Sequence, residues 1–239
     1  MKKEQFGQLS AYVTGGSDGL GGGTGPAVIL LHGFGAPGFD LVDLGSMFEL
    51  PEQVRFVFPE APLSLGPGFS GGRAWWMLDM ALFEARARGE LIDRSGDTPD
   101  TLDTVSAQLV GLVEEVERRF GITRKQLVLG GFSQGSMLAL DAALHMEEKP
   151  AGLLLLSSTL IAKPRWQARM ATLKGVPMLQ SHGAQDAILP LRDAERLAQL
   201  LREAEANLRW VEFRGGHEIP PVVLRKGTEL IVEALALKS

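Results

Sequence analysis

The fold class this sequence predicts is a mostly parallel, doubly wound α/β sheet flanked by helices, and three observations predict it. Short runs rich in Val, Leu, Ile and Phe recur along the chain. Several are apolar without alternation, the pattern of strands covered on both faces. Segments with apolar residues at three- and four-residue steps lie between them, and the two types take turns as βα units do. No internal repeat is visible.

In chain order, residues 8–13 read as an edge strand, followed by strands at 27–31 and 54–58. Residues 61–100 interrupt the alternation. Positions 61–73 are rich in Gly and Pro, Trp75, Trp76, Met77, Leu78, Met80 and Phe83 crowd together, and 86–100 are polar. An excursion of this length with this aromatic load reads as a short cap-like insertion, inside one domain spanning 1–239. Leu102, Val105, Leu109, Leu112, Val116 and Phe120 then mark one face of a helix that Gly121 stops. A strand at 126–129 leads into a helical segment at 137–145, and strands follow at 152–156 and 177–181. Leu191, Ala194, Leu197, Ala198, Leu201 and Ala204 form a second amphipathic stripe. After a last strand at 208–213, Pro220 and Pro221 suit the first turn of a C-terminal helix.

Composition narrows the function classes. With 45% hydrophobic and 22% charged residues in 239, the chain is neither disordered nor collagen-like. A net charge of −5 without a basic run disfavours nucleic acid or an anionic membrane as partner. No cysteine is present, so disulfides, thiolate metal sites, iron–sulfur clusters and a cysteine nucleophile are excluded. Lys2 and Lys3 have no apolar run behind them, so no signal peptide is expected. The apolar stretch 151–162 is too short to span a bilayer, and a cytoplasmic protein is expected. Imidazole chemistry rests on His32, His145, His182 and His217.

Gly-x-Ser-x-Gly occurs twice, at Gly131-Phe132-Ser133-Gln134-Gly135 and at Gly68-Phe69-Ser70-Gly71-Gly72. The motif has a mechanical reason: its serine sits on a strained turn between a strand and a helix, and flanking glycines relieve the crowding. Ser133 has both neighbours, whereas Ser70 lies among Gly and Pro with neither. Ser133 is therefore the candidate nucleophile. Its hydroxyl needs a base, and the base needs an acid to orient it. His217 follows the strand at 208–213 and alone has the loop position of a base, since His145 lies late in a helix and His182 at a strand end. Asp186, in the loop after the strand at 177–181, is the candidate acid; Asp193 already falls within the next helix. An oxyanion needs backbone N–H donors. Gln134, next to the nucleophile, supplies one, and Phe34, in the loop after the strand at 27–31, the other.

Taken together, Leu31-His32-Gly33-Phe34-Gly35, Pro59-Glu60-Ala61-Pro62, Arg73-Ala74-Trp75-Trp76, Gly131-Phe132-Ser133-Gln134-Gly135, His182-Gly183 with Asp186, and Gly216-His217 resemble the phospholipase/carboxylesterase family that includes the acyl-protein thioesterases. The resemblance implies the α/β-hydrolase fold, a serine esterase working through an acyl-enzyme on carboxylic esters or thioesters of small to medium acyl chains, and no cofactor or metal. Carried over, Ser133, Asp186 and His217 form the triad, with Phe34 and Gln134 at the oxyanion. Three positions depart from the family pattern. Gly35-Ala36-Pro37 lacks an aspartate, Trp75-Trp76 is followed by Met77-Leu78 before Asp79, and Ser136 replaces a frequent glycine. These surround the acyl pocket more than the triad, so they bear on the substrate and not on the reaction type.

Trp75, Trp76 and Leu78 are the candidate substrate-binding residues, with Leu63, Leu65, Phe69 and Met77 as further apolar lining. Packing of the insertion onto the sheet is an equal use for them. An exposed apolar rim would favour a homodimer. Two readings compete in chemistry. Gly33-Phe34-Gly35-Ala36-Pro37-Gly38 matches a dinucleotide fingerprint with Glu60 after the next strand, yet Pro37 resists the helix that should begin there. A zinc site on His32, His182 and His217 has no His-Glu-x-x-His helix behind it. A slow small-molecule receptor on the same fold would keep the residues without the turnover.

Overall fold

The computed structural model describes residues 1–79, 93 and 95–237. Its strands are β1 (Lys2–Phe6), β2 (Leu9–Gly15), β3 (Ala27–Leu31), β4 (Arg55–Pro59), β5 (Leu63–Ser64), β6 (Arg73–Ala74), β7 (Leu127–Phe132), β8 (Gly152–Leu156), β9 (Pro177–Gly183) and β10 (Asn207–Phe213). Its α-helices are α1 (Val42–Met47), α2 (Leu102–Phe120), α3 (Gln134–His145), α4 (Lys163–Gln167), α5 (Leu191–Glu203) and α6 (Pro221–Ala234). Among the described residues, eight strands make one sheet in the order β1-β2-β4-β3-β7-β8-β9-β10. β1, β2 and β4 pair antiparallel, and every pairing from β4 to β10 is parallel. This is the α/β-hydrolase architecture. None of its described helices is long and apolar enough to cross a membrane.

The unalternating apolar runs have a direct cause. All five residues of β3 are buried, with Ala27, Ile29 and Leu31 in one core layer and Val28 and Leu30 in the other. Helices α2 and α3 contribute to the first layer, and residues of α6 to the second. The stripe on α2 buries Leu102, Val105, Leu109, Leu112 and Val116, and Gly121 stops the helix in the left-handed conformation at φ 63°. Helix α3 is central: Gly135, Ser136, Ala139, Ala142 and Ala143 are all buried, so its backbone lies close against the sheet. Its Asp141 carboxylate accepts from Arg165 Nε and Nη2 at 2.7 and 2.9 Å and from Trp166 Nε1 at 2.8 Å.

Three features differ from the sequence reading. The strand expected at the edge is second in the sheet, because β1 pairs outside it through a turn at Gly7, φ 57°. Lys2, Lys3, Glu4 and Gln5 leave that edge strand half exposed, so it carries no apolar run. Strands β7 and β9 run past their expected ends, through Gly130-Gly131-Phe132 and His182-Gly183. Glycine and histidine disguise the last turns of both. Within 61–100, β5 and β6 form a small antiparallel ribbon; Met80 and Phe83, and most of 86–94, lie outside the described residues.

Candidate active site

Ser133 sits between β7 and α3 at φ 54°, ψ −121°, a conformation that L-residues adopt at a cost of order 1–3 kcal/mol. The glycines around it are required by close approach. A Cβ on Gly135 would stand 2.3 Å from the Leu31 carbonyl oxygen, and one on Gly131 2.7 Å from the same oxygen. The elbow is thus pressed against the end of β3, and Ser133 is only partly buried. Its amide donates to Leu156 O at 2.8 Å, and its carbonyl accepts from Ser136 Oγ at 2.6 Å. Ser70, by contrast, ends a 3-10 turn, and no helix begins at the Gly71-Gly72 that follows it.

Asp186 and His217 meet although 31 residues separate them. His217 Nδ1 donates to Asp186 Oδ2 at 2.7 Å, so in the neutral ring Nε2 carries the lone pair and is the nitrogen available as a base. Asp186 Oδ1 accepts from the Ile188 and Leu189 amides, both at 2.8 Å. Burial alone would raise the Asp186 pKa, but the His217 hydrogen bond and the two amides outweigh it and hold the carboxyl below its ordinary value. The Asp186 side chain is 0% exposed and that of His217 13%, so the acid is sealed and the base reaches the cavity. Phe132 packs on the His217 ring at 4.7 Å between centroids. Gly183 makes the meeting of the two loops sterically feasible: a Cβ there would stand 2.1 Å from Gly216 O. Asp193, in the first turn of α5, is buried and near Arg192 and Arg196 instead.

The loop after β3 lies beside the elbow, where a Cβ on Gly33 would be 3.4 Å from Ser133 Cβ. Three ties hold this loop. His32 Nδ1 donates to Gly33 O at 2.8 Å, Gly35 N donates to Arg73 O at 2.9 Å, and Arg73 N donates to Ala36 O at 3.0 Å. The other His32 nitrogen, Nε2, accepts from the Ala61 amide at 3.1 Å. The Phe34 amide has no hydrogen-bond acceptor among the described residues, and the Gln134 amide opens α3. Both therefore remain available to an anion. The Gln134 side chain is itself engaged: its Oε1 accepts from Trp75 N at 2.9 Å and its Nε2 donates to Trp76 O at 2.8 Å.

A cavity of about 480 Å³ opens over Ser133 and His217 and is also lined by Phe34 and Gln134. Trp76 and Leu78 line it, together with Met77. Trp75 does not. It is fully buried, and its Nε1 donates to His32 O at 2.9 Å, so its size serves the core beneath the loop after β3. Leu63 and Leu65 are also absent from the lining, and the Phe69 side chain lies outside the described residues. Sequence reasoning missed Met137, Leu160, Ile161, Ile188 and Leu189, which complete the apolar wall. A signal existed for each: Met137 lies one turn beyond Ser133, and the others lie in loops after β8 and β9, on the catalytic edge of the sheet.

The competing chemistries find their residues otherwise occupied. Glu60, the would-be ribose acid, pairs with Lys3 at 2.9 Å, and a Cβ on Gly38 would stand 2.7 Å from Glu60 Cβ. No helix starts until Val42, so the glycine loop does not aim a helix terminus at a phosphate. Both nitrogens of His32 are spent on backbone groups, and His182 Nε2 donates to Leu189 O at 2.9 Å.

Residues 23–233 match the family model described as phospholipase/carboxylesterase. Acyl-protein thioesterase 1 of Gibberella zeae is 27% identical over 208 residues, covering 81% of this chain and 84% of that protein. The protein of the same name from Eremothecium gossypii is 28% identical over 208 residues, covering 83% of each. Among solved structures, esterase PE8 superposes with a TM-score of 0.79 at 27% identity, covering 95% of this chain and 99% of that one. Acyl-protein thioesterase 2 of Zea mays shares the fold, with a TM-score of 0.68 at 22% identity over 94% of this chain and 98% of that one.

Proposed function

This chain belongs to the phospholipase/carboxylesterase family, and on that premise we propose that Ser133, Asp186 and His217 hydrolyse carboxylic esters or thioesters through an acyl-enzyme. One observation carries the reading: His217 Nδ1 is committed to a buried carboxylate at 2.7 Å while its ring lines the same cavity as Ser133. His217 Nε2 takes the Ser133 proton as Oγ attacks the acyl carbon. Asp186 stabilises the imidazolium that results. The carbonyl oxygen gains the negative charge and receives the Phe34 and Gln134 amides. Collapse of this intermediate breaks the bond to the alcohol or thiol, which leaves with the proton from His217. Water then attacks the acyl-serine, His217 takes its proton and returns it to Ser133 Oγ, and the free acid departs. No cofactor enters the cycle.

Trp76, Leu78, Met137 and Leu160 supply an apolar wall for a small to medium acyl chain. Relatives named acyl-protein thioesterase support an acylated protein as one form of substrate, beside small esters. The test is labelling with a fluorophosphonate, read by intact mass and peptide mapping, beside turnover of p-nitrophenyl esters of increasing acyl length. A single adduct on Ser133 and a kcat at least about 10⁴-fold lower in Ser133→Ala, with an unchanged melting curve, are expected. Normal turnover by Ser133→Ala would end the proposal.

A further inference from the structure

One buried imidazole next to the triad has no part in the reaction above. His182 lies in β9, and its side chain is 0% exposed. The Leu189 carbonyl is purely an acceptor and lies 2.9 Å from Nε2, so Nε2 carries the proton. The same nitrogen lies 3.5 Å from Asp186 Oδ2, the oxygen that accepts from His217. Nδ1 is the unprotonated nitrogen, and no donor reaches it among the described residues. The contacts close a ring. Leu189 N donates to Asp186 Oδ1, Leu189 O accepts from His182 Nε2, and that nitrogen stands 3.5 Å from Asp186 Oδ2.

We propose that His182 is a positioning residue for the triad acid: its Nε2–H ties the Asp186–Leu189 turn to strand β9 and fixes the Asp186 carboxylate toward His217. The proposal rests on the reading of Ser133, Asp186 and His217 as a triad. The geometry gives the tie a specific purpose. Asp186 follows the end of β9 by three residues, in a turn that lines a cavity through Ile188 and Leu189. The first residues of the turn are held by the Ala184 and Gln185 amides, which donate to Phe213 O and Gly215 O, both at 2.9 Å, and by the Asp186 amide, which donates to Gly183 O at 3.1 Å, but none of these bonds reaches its Ile188–Leu189 end. The two amides on Oδ1 fix the carboxylate within its turn, but they move with it. His182 belongs to the sheet, so its bond anchors the Leu189 end of the turn to the rigid frame that also carries Gly183, against which the His217 loop packs too closely to leave room for a Cβ. Asp186, His217 and Asp193 are the charged or titratable groups that act on His182, and burial keeps it neutral against the pull of the two carboxylates. A neutral imidazole with a fixed tautomer donates without cancelling the Asp186 charge that His217 needs.

The test compares His182→Gln with His182→Asn on the full chain. Both keep a polar amide in the buried site, but the Gln amide nitrogen falls near the position of Nε2 and the Asn nitrogen near that of Nδ1. With p-nitrophenyl butyrate, His182→Gln is expected to stay within about threefold of the parent kcat. His182→Asn is expected to lose about tenfold or more in kcat with KM within about twofold, the scale of one hydrogen bond near a charged group. The acid limb of its kcat/KM–pH profile should move to lower pH, because an imidazolium forms less readily when its carboxylate is free to turn away. Equal kcat and an unmoved acid limb in His182→Asn would overturn the proposal, as would equal losses in both variants accompanied by a lowered melting temperature. A measurement on the unsubstituted protein needs no variant to fold: ¹⁵N shifts of the imidazoles at pH 7.5 should show His182 neutral with the proton on Nε2. An Nδ1–H tautomer there would overturn it as well. If the parent enzyme fails to label at Ser133, the triad reading fails instead, and the two failures are distinct.

Discussion

At the scale of single residues, the loop after β3 depends on a histidine that must not be charged. His32 uses Nδ1–H for Gly33 O and the Nε2 lone pair for the Ala61 amide, so protonation would set two donors face to face. Burial lowers its pKa from 6.5 to about 4. The unfolded chain takes up this proton near 6.5 and the folded chain only near 4. Stability therefore falls as the pH drops through that window, by roughly 3 kcal/mol once the pH is below both values. His182, also lowered by burial, adds a loss of the same sign. Asp186, held below the ordinary carboxylate value, loses its contribution only at more acid pH. Urea denaturation at pH 7.5 and 4.5 checks this: His32→Gln should show a clearly smaller drop between the two than the parent protein. Identical drops would remove His32 from the account. The candidate triad could be assembled from the sequence because Ser133, Asp186 and His217 each follow a strand in the order the proposed mechanism needs. His32 and His182 were not legible there, since an imidazole that holds backbone and one that reacts look alike until their nitrogens are traced.

Elements were legible where periodicity was strong. Helices α2 and α5 and the buried strands β3 and β8 fall within a residue or two of their expected limits. Strand β1 was invisible because an edge strand need bury only one face, and the short α1 and α4 are too brief to show a period. The catalytic edge was blurred for a physical reason: the last residues of β7 and β9 are chosen for close backbone approach and not for β propensity. Gly183 is the sharpest case. Its would-be Cβ meets the Gly216 oxygen at 2.1 Å and the Gly215 oxygen at 2.6 Å, and backbone atoms cannot swing aside. Gly183→Ala should push the His217 loop off Asp186 and lower kcat/KM about 100-fold, the cost of an ångström of misplacement. Gly111→Ala is the matching control: it lies inside α2 with nothing within 4 Å, so it should gain up to about 1 kcal/mol and leave turnover alone. Steady-state kinetics and thermal melts on the pair decide it. Full activity in Gly183→Ala would mean that the two loops approach less closely than described.

For the whole molecule, the site and the stability reserve lie at opposite ends of one helix. Helix α3 begins next to Ser133 on the carboxyl edge of the parallel strands, where the loops after β3, β7, β9 and β10 converge. Further along it, Asp141 is fully buried and gathers Arg165 and Trp166 of α4, while Arg165 also reaches Asp103 in the first turn of α2. Arg165 of α4 thus links a carboxylate of α3 to one of α2 on one face of the sheet. Asp141→Ala would leave the Trp166 N–H without its acceptor and Arg165 with the exposed Asp103 as its one acidic partner among the described residues. The loss expected is about 3 kcal/mol, or roughly 6–12 °C in melting temperature for a chain of this size. Eight residues at about 1.5 Å rise put Asp141 about 12 Å from Ser133, beyond the range over which substitutions usually couple. The rate of fluorophosphonate labelling at 25 °C, per folded molecule, should therefore match that of the parent protein even as the melt shifts. Slower labelling well below the melting transition would show that α3 transmits the disturbance to its first turn. The strained elbow would then depend on packing along the whole helix, and not only on the glycines pressed against β3.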